Sequence, residues 1–222
     1  FRRLSGSPQT YEQRSFVLAP EANERHRMIV FTDTHLANRT NDIHQFENGF
    51  KADLRKQIAQ AKAEGVSLYA MALGDLTWDE YWYKNSYQPS HYVRQMADLD
   101  IPIYNIPGNH DNDGATIHSD SVDWAASAPY RRIIGPRYYS FNIGKVHYVV
   151  LDNLIYVNSP KKNSKDGIAG KRDYVRRVDS LQLDWLRRDL ATVEDKSAPV
   201  VVAMHAATYR YNKFNDKVTA GL

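Results

Sequence analysis

The sequence places potential metal ligands at four separate points: Asp33 and His35 in FTDTH, Asp75 in LGD, Asn109 and His110 in PGNHD, and His205 in VVAMH. Two carboxylates, one side-chain amide and up to three imidazoles make a mixed oxygen and nitrogen set. Such a set suits Mn, Fe or Zn and is ill matched to Ca or a soft metal. Neighbouring carboxylates also repel unless a cation lies between them. Side chains alternate along an extended segment, so an Asp-x-His at a strand end is expected to turn Asp33 and His35 to one face, where a single metal could take both. Gly74 and Gly108 stand just ahead of Asp75 and Asn109, where they let the backbone turn sharply and approach closely.

Each group follows an apolar run: MIVF at 28–31, LYAMAL at 68–73, IPIYNI at 101–106 and VVVAM at 200–204. Such runs suit strands buried on both faces. In open α/β sheets the binding crevice lies at the carboxyl ends of the strands, so the four groups are expected to converge on one edge. Between the first two runs, Phe46, Phe50, Leu54, Ile58 and Ala61 recur at helical spacing and Gly65 can close the helix. That is a βαβ unit and predicts a locally parallel sheet. RYYSFNIGKVHYVVLD reads as two strands turning at residues 143–145, a hairpin that makes the sheet mixed. SLQLDWLRRDLATV reads as an amphipathic helix with Leu181, Trp185 and Leu186 on one side.

A length of 222 residues suits one large α/β domain over residues 1–222, with 1–26 as an N-terminal extension. The composition, 42% hydrophobic and 25% charged, is that of an ordinary globular chain, and no stretch approaches a transmembrane span. Basic residues (29) nearly balance acidic ones (26), which leaves a net charge of +3 and little pull on nucleic acid. The absence of cysteine excludes disulfide scaffolds, thiolate metal sites and cysteine nucleophiles. Phe1 is not an initiator Met, and FRRLSGSPQTYEQRS lacks the apolar core of a signal peptide. Together with 15 tyrosines and no cysteine, this leans toward a processed, exported or periplasmic bacterial protein.

Taken singly, these residues have plainer explanations. A lone Asp after a strand is most often a helix cap or turn former, and a lone His after an apolar run is more often a hydrogen-bonded core residue. His26, His44, His91, His118 and His147 are read that way. Four strand ends carrying the right chemistry in one chain are a different matter.

The order FTDTH, LGD, PGNHD and VVAMH resembles the calcineurin-like metallophosphoesterases, whose pattern is D-x-H, G-D, G-N-H-D/E, H and finally G-H-x-H. The resemblance implies a four-layer α/β/β/α sandwich of two mixed β-sheets and a dinuclear centre of two divalent or mixed-valence ions (Mn, Fe or Zn). It implies Asp33 and His35 on the first metal, Asp75 bridging both, Asn109 and His205 on the second, and His110 beside them as the acid that assists the leaving group. Two cations roughly 3.5–4 Å apart would hold a bridging hydroxide and clamp the phosphoryl oxygens for in-line displacement. The final G-H-x-H does not occur in the sequence. Either a segment beyond KVTAGL supplies it or metal binding is weakened, and the abrupt ending favours the first. Purple acid phosphatases place a Tyr ligand three positions after the G-D motif; Trp78 stands there, which argues against that subgroup.

A phosphoesterase acting on a small phosphoester is thus the leading expectation. A nuclease of the same superfamily and a noncatalytic binding protein are the alternatives. After Asp75, the aromatics Trp78, Tyr81, Trp82, Tyr83 and Tyr87 either wall the pocket mouth or pack the start of a helix, with packing the favoured reading. The basic stretch NSPKKNSKDGIAGKRDYVRR either steers anions or is a solvated loop. Asp79 and Asp111 are both candidates for orienting His110.

Overall fold

The computed structural model describes residues 25–117, 119–158, 173–207, 209–211 and 218–220. Three strands, β1 (His26–Phe31), β2 (Ser67–Ala72) and β3 (Ile103–Asn105), form a parallel sheet in the order β1-β2-β3. The β1–β2 crossover holds α1 (Asp42–Gln45), a π-type turn at Phe46–Phe50 and α2 (Lys51–Ala63). Helix α3 (Pro89–Met96) leads into β3. The crossover helix therefore begins before the expected Phe46. Its π-type turn stacks Phe46 on Phe50 at 5.2 Å and sets Phe50 against Phe31 of β1 at 4.9 Å. Gly65 closes it with a φ of +65°, the left-handed conformation open to glycine.

A second sheet joins β4 (Tyr139–Ile143), β5 (Val146–Val150) and β8 (Val200–Ala203) in the order β4-β5-β8. The first pair is the expected hairpin, turning at Gly144 with φ +56°, and β5 runs parallel to β8. Among the described residues the first sheet is wholly parallel, and the second is mixed. The β2 side chains explain how the sheets meet. Leu68, Ala70 and Ala72 pack into a core with Leu54 and Ala61 of α2 and with Tyr92 and Met96 of α3. Tyr69 and Met71 point the other way, into a core shared with Ile143, Tyr148, Val150 and Ala203. There Tyr104 of β3 stacks on Phe141 of β4 at 3.6 Å. On the far side of the second sheet, Val149 and Leu151 pack against Trp185, Leu186 and Leu190 of α6 (Ser180–Ala191).

Helices α4 (Val122–Ala126) and α5 (Ala128–Ile133) precede β4, and the antiparallel pair β6 (Leu154–Val157) and β7 (Asp173–Arg176) follows β5. An antiparallel pair, β9 (Tyr209–Tyr211) and β10 (Val218–Ala220), follows His205 in sequence.

Two expectations need correction. Burial on both faces holds for β2 but not for the other three: Val30 is 55% exposed, Val200, Val201 and Val202 are 40–45% exposed, and Ile103, Tyr104 and Asn105 of β3 are half-buried. These strands are edges of their sheets among the described residues. Leu181 is exposed as well, because Gln182 docks in its place. The Gln182 amide exchanges hydrogen bonds with the Asp152 backbone at 2.8 and 2.9 Å, which fixes how the first turn of α6 faces the sheet. His118, the extension over residues 1–24 and residues 159–172 of the basic stretch lie outside the described residues.

Candidate metal centre

The chain leaves β1 and β2 through two loops that remain joined beyond the strands. Asp33 donates its N–H to Gly74 O (3.1 Å), His35 to Asp75 O (2.9 Å) and Leu36 to Leu76 O (3.2 Å). The Thr34 hydroxyl adds a bond to Leu76 O (2.8 Å). Asp33, His35 and Asp75 nevertheless have left-handed backbones, with φ of 55°, 44° and 52°. Side chains with a Cβ rarely adopt that region, and such strain concentrates at functional sites. Asp33 and His35 do come together, with His35 Nε2 3.4 Å from Asp33 Oδ1. The cause differs from the one expected: the left-handed turns bring them together beyond the end of β1, where strand alternation no longer applies.

The third loop comes from β3 and packs against the second at contact distance. A Cβ on Gly74 would lie 2.7 Å from Gly108 N and 2.8 Å from His205 Nδ1. One on Gly108 would lie 2.1 Å from Asp75 N. Both glycines are there for close approach, and Gly74, at φ +90°, also for its turn. Asp111, which had no secure role in sequence, braces this junction. Its carboxylate accepts N–H bonds from Gly108 (2.8 Å), Leu76 (3.0 Å) and Thr77 (3.3 Å). Burial pushes its carboxyl well above the ordinary value and nearby Asp75 adds to this, while the three N–H groups oppose them. Asp111 therefore does not orient His110. Asp79 does, accepting from His110 Nδ1 at 3.0 Å from a nearly fully buried position.

The polar groups close on one atom. Asp75 Oδ2 has His35 Nε2 at 3.3 Å, His205 Nε2 at 3.6 Å and His110 Nε2 at 4.0 Å, while Asp75 Oδ1 accepts the His110 N–H at 2.7 Å. Two ligand triads share Asp75: His35, Asp75 and His110, and Asp33, Asp75 and His205, with the ligand atoms of each within 4.8 Å of one another. Asp33 is the exposed member, its side chain 51% accessible. Burial lowers the His35 imidazole below its ordinary value and His110 adds to this, against the opposing pull of Asp75 and Asp33. A neutral ring is the form that ligates metal.

A cation fits this donor set for a specific reason. His205 Nδ1 lies 2.7 Å from Leu73 O, which can only accept, so Nδ1 carries the proton. In the neutral ring, Nε2 then turns a lone pair toward Asn109 Oδ1 at 3.2 Å and Asp75 Oδ2 at 3.6 Å. Three acceptors face one another, and a metal ion satisfies all of them. The carbonyl that fixes the tautomer is the outer-sphere partner usual for a ligating histidine. Asn153 holds the same segment by bonding Ala206 through both its N–H (3.1 Å) and its carbonyl (2.7 Å).

The aromatics after Asp75 divide. Trp82 and Tyr87 are core residues, as the packing reading held, and Trp82 Nε1 is bonded to Thr77. Trp78 lines the site, its ring centroid 5.1 Å from His35 and 5.5 Å from His110. Tyr81 packs edge-on against Trp78 at 5.3 Å, and Tyr83, exposed overall, bonds Asp113 (2.7 Å); partial burial of its hydroxyl and then this bond push the phenol up to about 12. Sequence reasoning missed Arg39, whose guanidinium sits 4.3 Å over Trp78. Three other histidines have structural partners: His26 bonds Tyr148, His91 caps α3, and His147 is held between Asn142 and Asp189.

Asp, His and Asn side chains thus gather at the carboxyl ends of strands from two facing sheets, in a set able to hold metal. The chain matches the calcineurin-like phosphoesterase family over residues 26–222 and belongs to it. Membership implies metal-dependent phosphoester hydrolysis, in a family that generally uses two divalent metals. No curated protein matches the sequence. Among the described residues, no helix is long and apolar enough to cross a membrane.

Proposed function

We propose that this chain hydrolyses phosphoesters at two metal ions, one held by Asp33, His35 and Asp75 and the other by Asp75, Asn109 and His205, with His110 as general acid. The observation that carries this reading is the convergence of three imidazole Nε2 atoms on Asp75 Oδ2, at 3.3, 3.6 and 4.0 Å. Asp75 is then the shared ligand, and its second oxygen, bonded to the His110 N–H, keeps the acid beside it. When bound, the metals would supply Lewis-acid polarisation of the phosphoryl group and an acidified water.

The protein's own part is proton delivery and position. Asp79 accepts from His110 Nδ1, which orients the ring so that Nε2 can deliver a proton to the departing oxygen. Proton transfer of this kind contributes about 10²–10⁴ in rate. His110 also belongs to one of the two ligand triads, so its role must be separated from ligation. Activity on p-nitrophenyl phosphate and its bis-ester with added Mn tests the reading and distinguishes monoesterase from diesterase. His110→Ala is expected to lose about 10²–10⁴ in kcat while retaining two equivalents of metal by elemental analysis. Loss of one equivalent would make His110 a ligand, and unchanged turnover would remove it from the mechanism.

A further inference from the structure

We infer that Arg39 and Lys84, seated on the faces of Trp78 and Tyr81, form a cationic subsite that selects phosphoesters whose leaving alcohol carries a second negative charge. This rests on the phosphoesterase reading and names its substrate class. The Arg39 guanidinium lies 4.3 Å over the Trp78 ring and 5.5 Å over Tyr81, and Lys84 Nζ lies 5.3 Å from the Tyr81 ring. Arg39 is tied to the site directly, because Nη2 donates to the carbonyl of His35 (3.4 Å). The same Trp78 ring lies 5.1 Å from His35 and 5.5 Å from His110.

Arg39 is only loosely paired. Its Nε is 3.7 Å from Asp42 Oδ2, an ion pair beyond hydrogen-bond reach, and has no hydrogen-bond partner among the described residues. The Asp42 oxygens accept instead from the backbone N–H groups of Ala37 (2.9 Å), Arg39 (2.8 Å) and Ile43 (2.8 Å). Lys84 is exposed, and among the described residues it has no ion-pair partner. The platform is also braced: Asn85 Nδ2 bonds Ala37 O (2.9 Å) and Asn38 O (3.1 Å), joining the loop that carries Lys84 to the loop that carries Arg39. Two cations, one over the Trp78 ring that borders His110 and one over the adjoining Tyr81 ring, favour an anionic leaving group. A carboxylate and a second phosphate share that chemistry.

The test is binding, independent of turnover. Calorimetry with Mn present compares benzylphosphonate with 4-carboxybenzylphosphonate and with its 4-phosphonate counterpart. Wild-type protein is expected to favour the charged ligands about tenfold, as two partly exposed ion contacts allow. The preference should shrink with added salt. In Arg39→Met/Lys84→Met, and partially in Lys84→Met alone, the ratio of dissociation constants is expected to fall toward one. Equal affinity for charged and uncharged ligands in wild type would overturn the inference, as would a preserved ratio in the variants or no binding of any of the three. A preserved preference with no hydrolysis of p-nitrophenyl phosphate would instead overturn the hydrolase reading and leave the subsite standing.

Discussion

Replacing Gly108 by Ala tests how closely the loops after β2 and β3 approach. The added methyl would lie 2.1 Å from Asp75 N and 2.3 Å from Asp75 Oδ1, both groups held by their own chain. To restore ordinary contact the loops must part by about 1.3 Å, which core packing resists at a cost of roughly 1–3 kcal/mol. A shift of that size also breaks the 2.7 Å bond from His110 N–H to Asp75 Oδ1. Hydrogen bonds to charged groups contribute about 1.5–3 kcal/mol each, so the total is roughly 2.5–6 kcal/mol. At about 2–4 °C per kcal/mol for a chain of this length, the melting temperature should fall by roughly 5–24 °C. Gly49→Ala is the control: it sits in a helical turn with no atom within 4 Å of the new methyl, and should be equal to wild type or about 0.5–1 kcal/mol more stable. Circular dichroism melts and Mn titration of both variants measure the effect. A Gly108→Ala protein that melts within about 2 °C of wild type and binds Mn equally well would refute the close approach, and with it the explanation of how Asp75 meets His110.

Asp75→Asn should lose metal from both positions at once, because the shared oxygen that faces three imidazoles would become a neutral amide; elemental analysis showing one ion retained would count against sharing. Lys51 is 2% exposed, with Nζ bonded to Gln95 O (2.5 Å), Asp98 (2.7 Å) and Glu47 (2.9 Å), which ties α2 to the end of α3. Lys51→Met should destabilise the fold by roughly 1–3 kcal/mol in chemical denaturation, less than for a fully buried pair because Asp98 can regain water. The Asp98 carboxyl also predicts a pH effect. Its own burial raises it, but hydrogen bonds from Lys51 and Arg55 outweigh this and leave it below the ordinary 3.8. A carboxyl depressed on folding adds stability that is present above the unfolded value and lost as pH falls through the folded one. The acid limb of wild-type stability below about pH 4 should accordingly be shallower in Lys51→Met, and an unchanged limb would assign it to other carboxyls.

Much of the candidate site was legible in sequence because apolar strands leave a plain signature. Four apolar runs end where water and ligands become accessible, so a polar group just beyond each is conspicuous, and Asp33, Asp75, Asn109 and His205 could be named from that position alone. The glycines were legible for the same reason, since residue type reports a tight approach before the approaching partner is known. Leu181 was misjudged because helical spacing gives a face but not the docking of a terminal turn, which the Gln182 amide sets on Asp152.

What the sequence by itself determined is which residues stand at strand ends and what chemistry they carry. The tertiary structure decided which of them meet. Asp33 and His35 converge through left-handed turns that no alternation rule predicts, and Asp79 rather than Asp111 reaches His110. Trp78 faces the centre while Trp82 and Tyr87 enter the core, and Arg39 lies across a ring contributed from a loop 39 positions away. The physical reason is the same in each case. Side-chain direction follows from backbone torsions and from hydrogen bonds between loops distant in sequence, such as His35 N–H to Asp75 O, and these exist only once the sheet has brought the loops together.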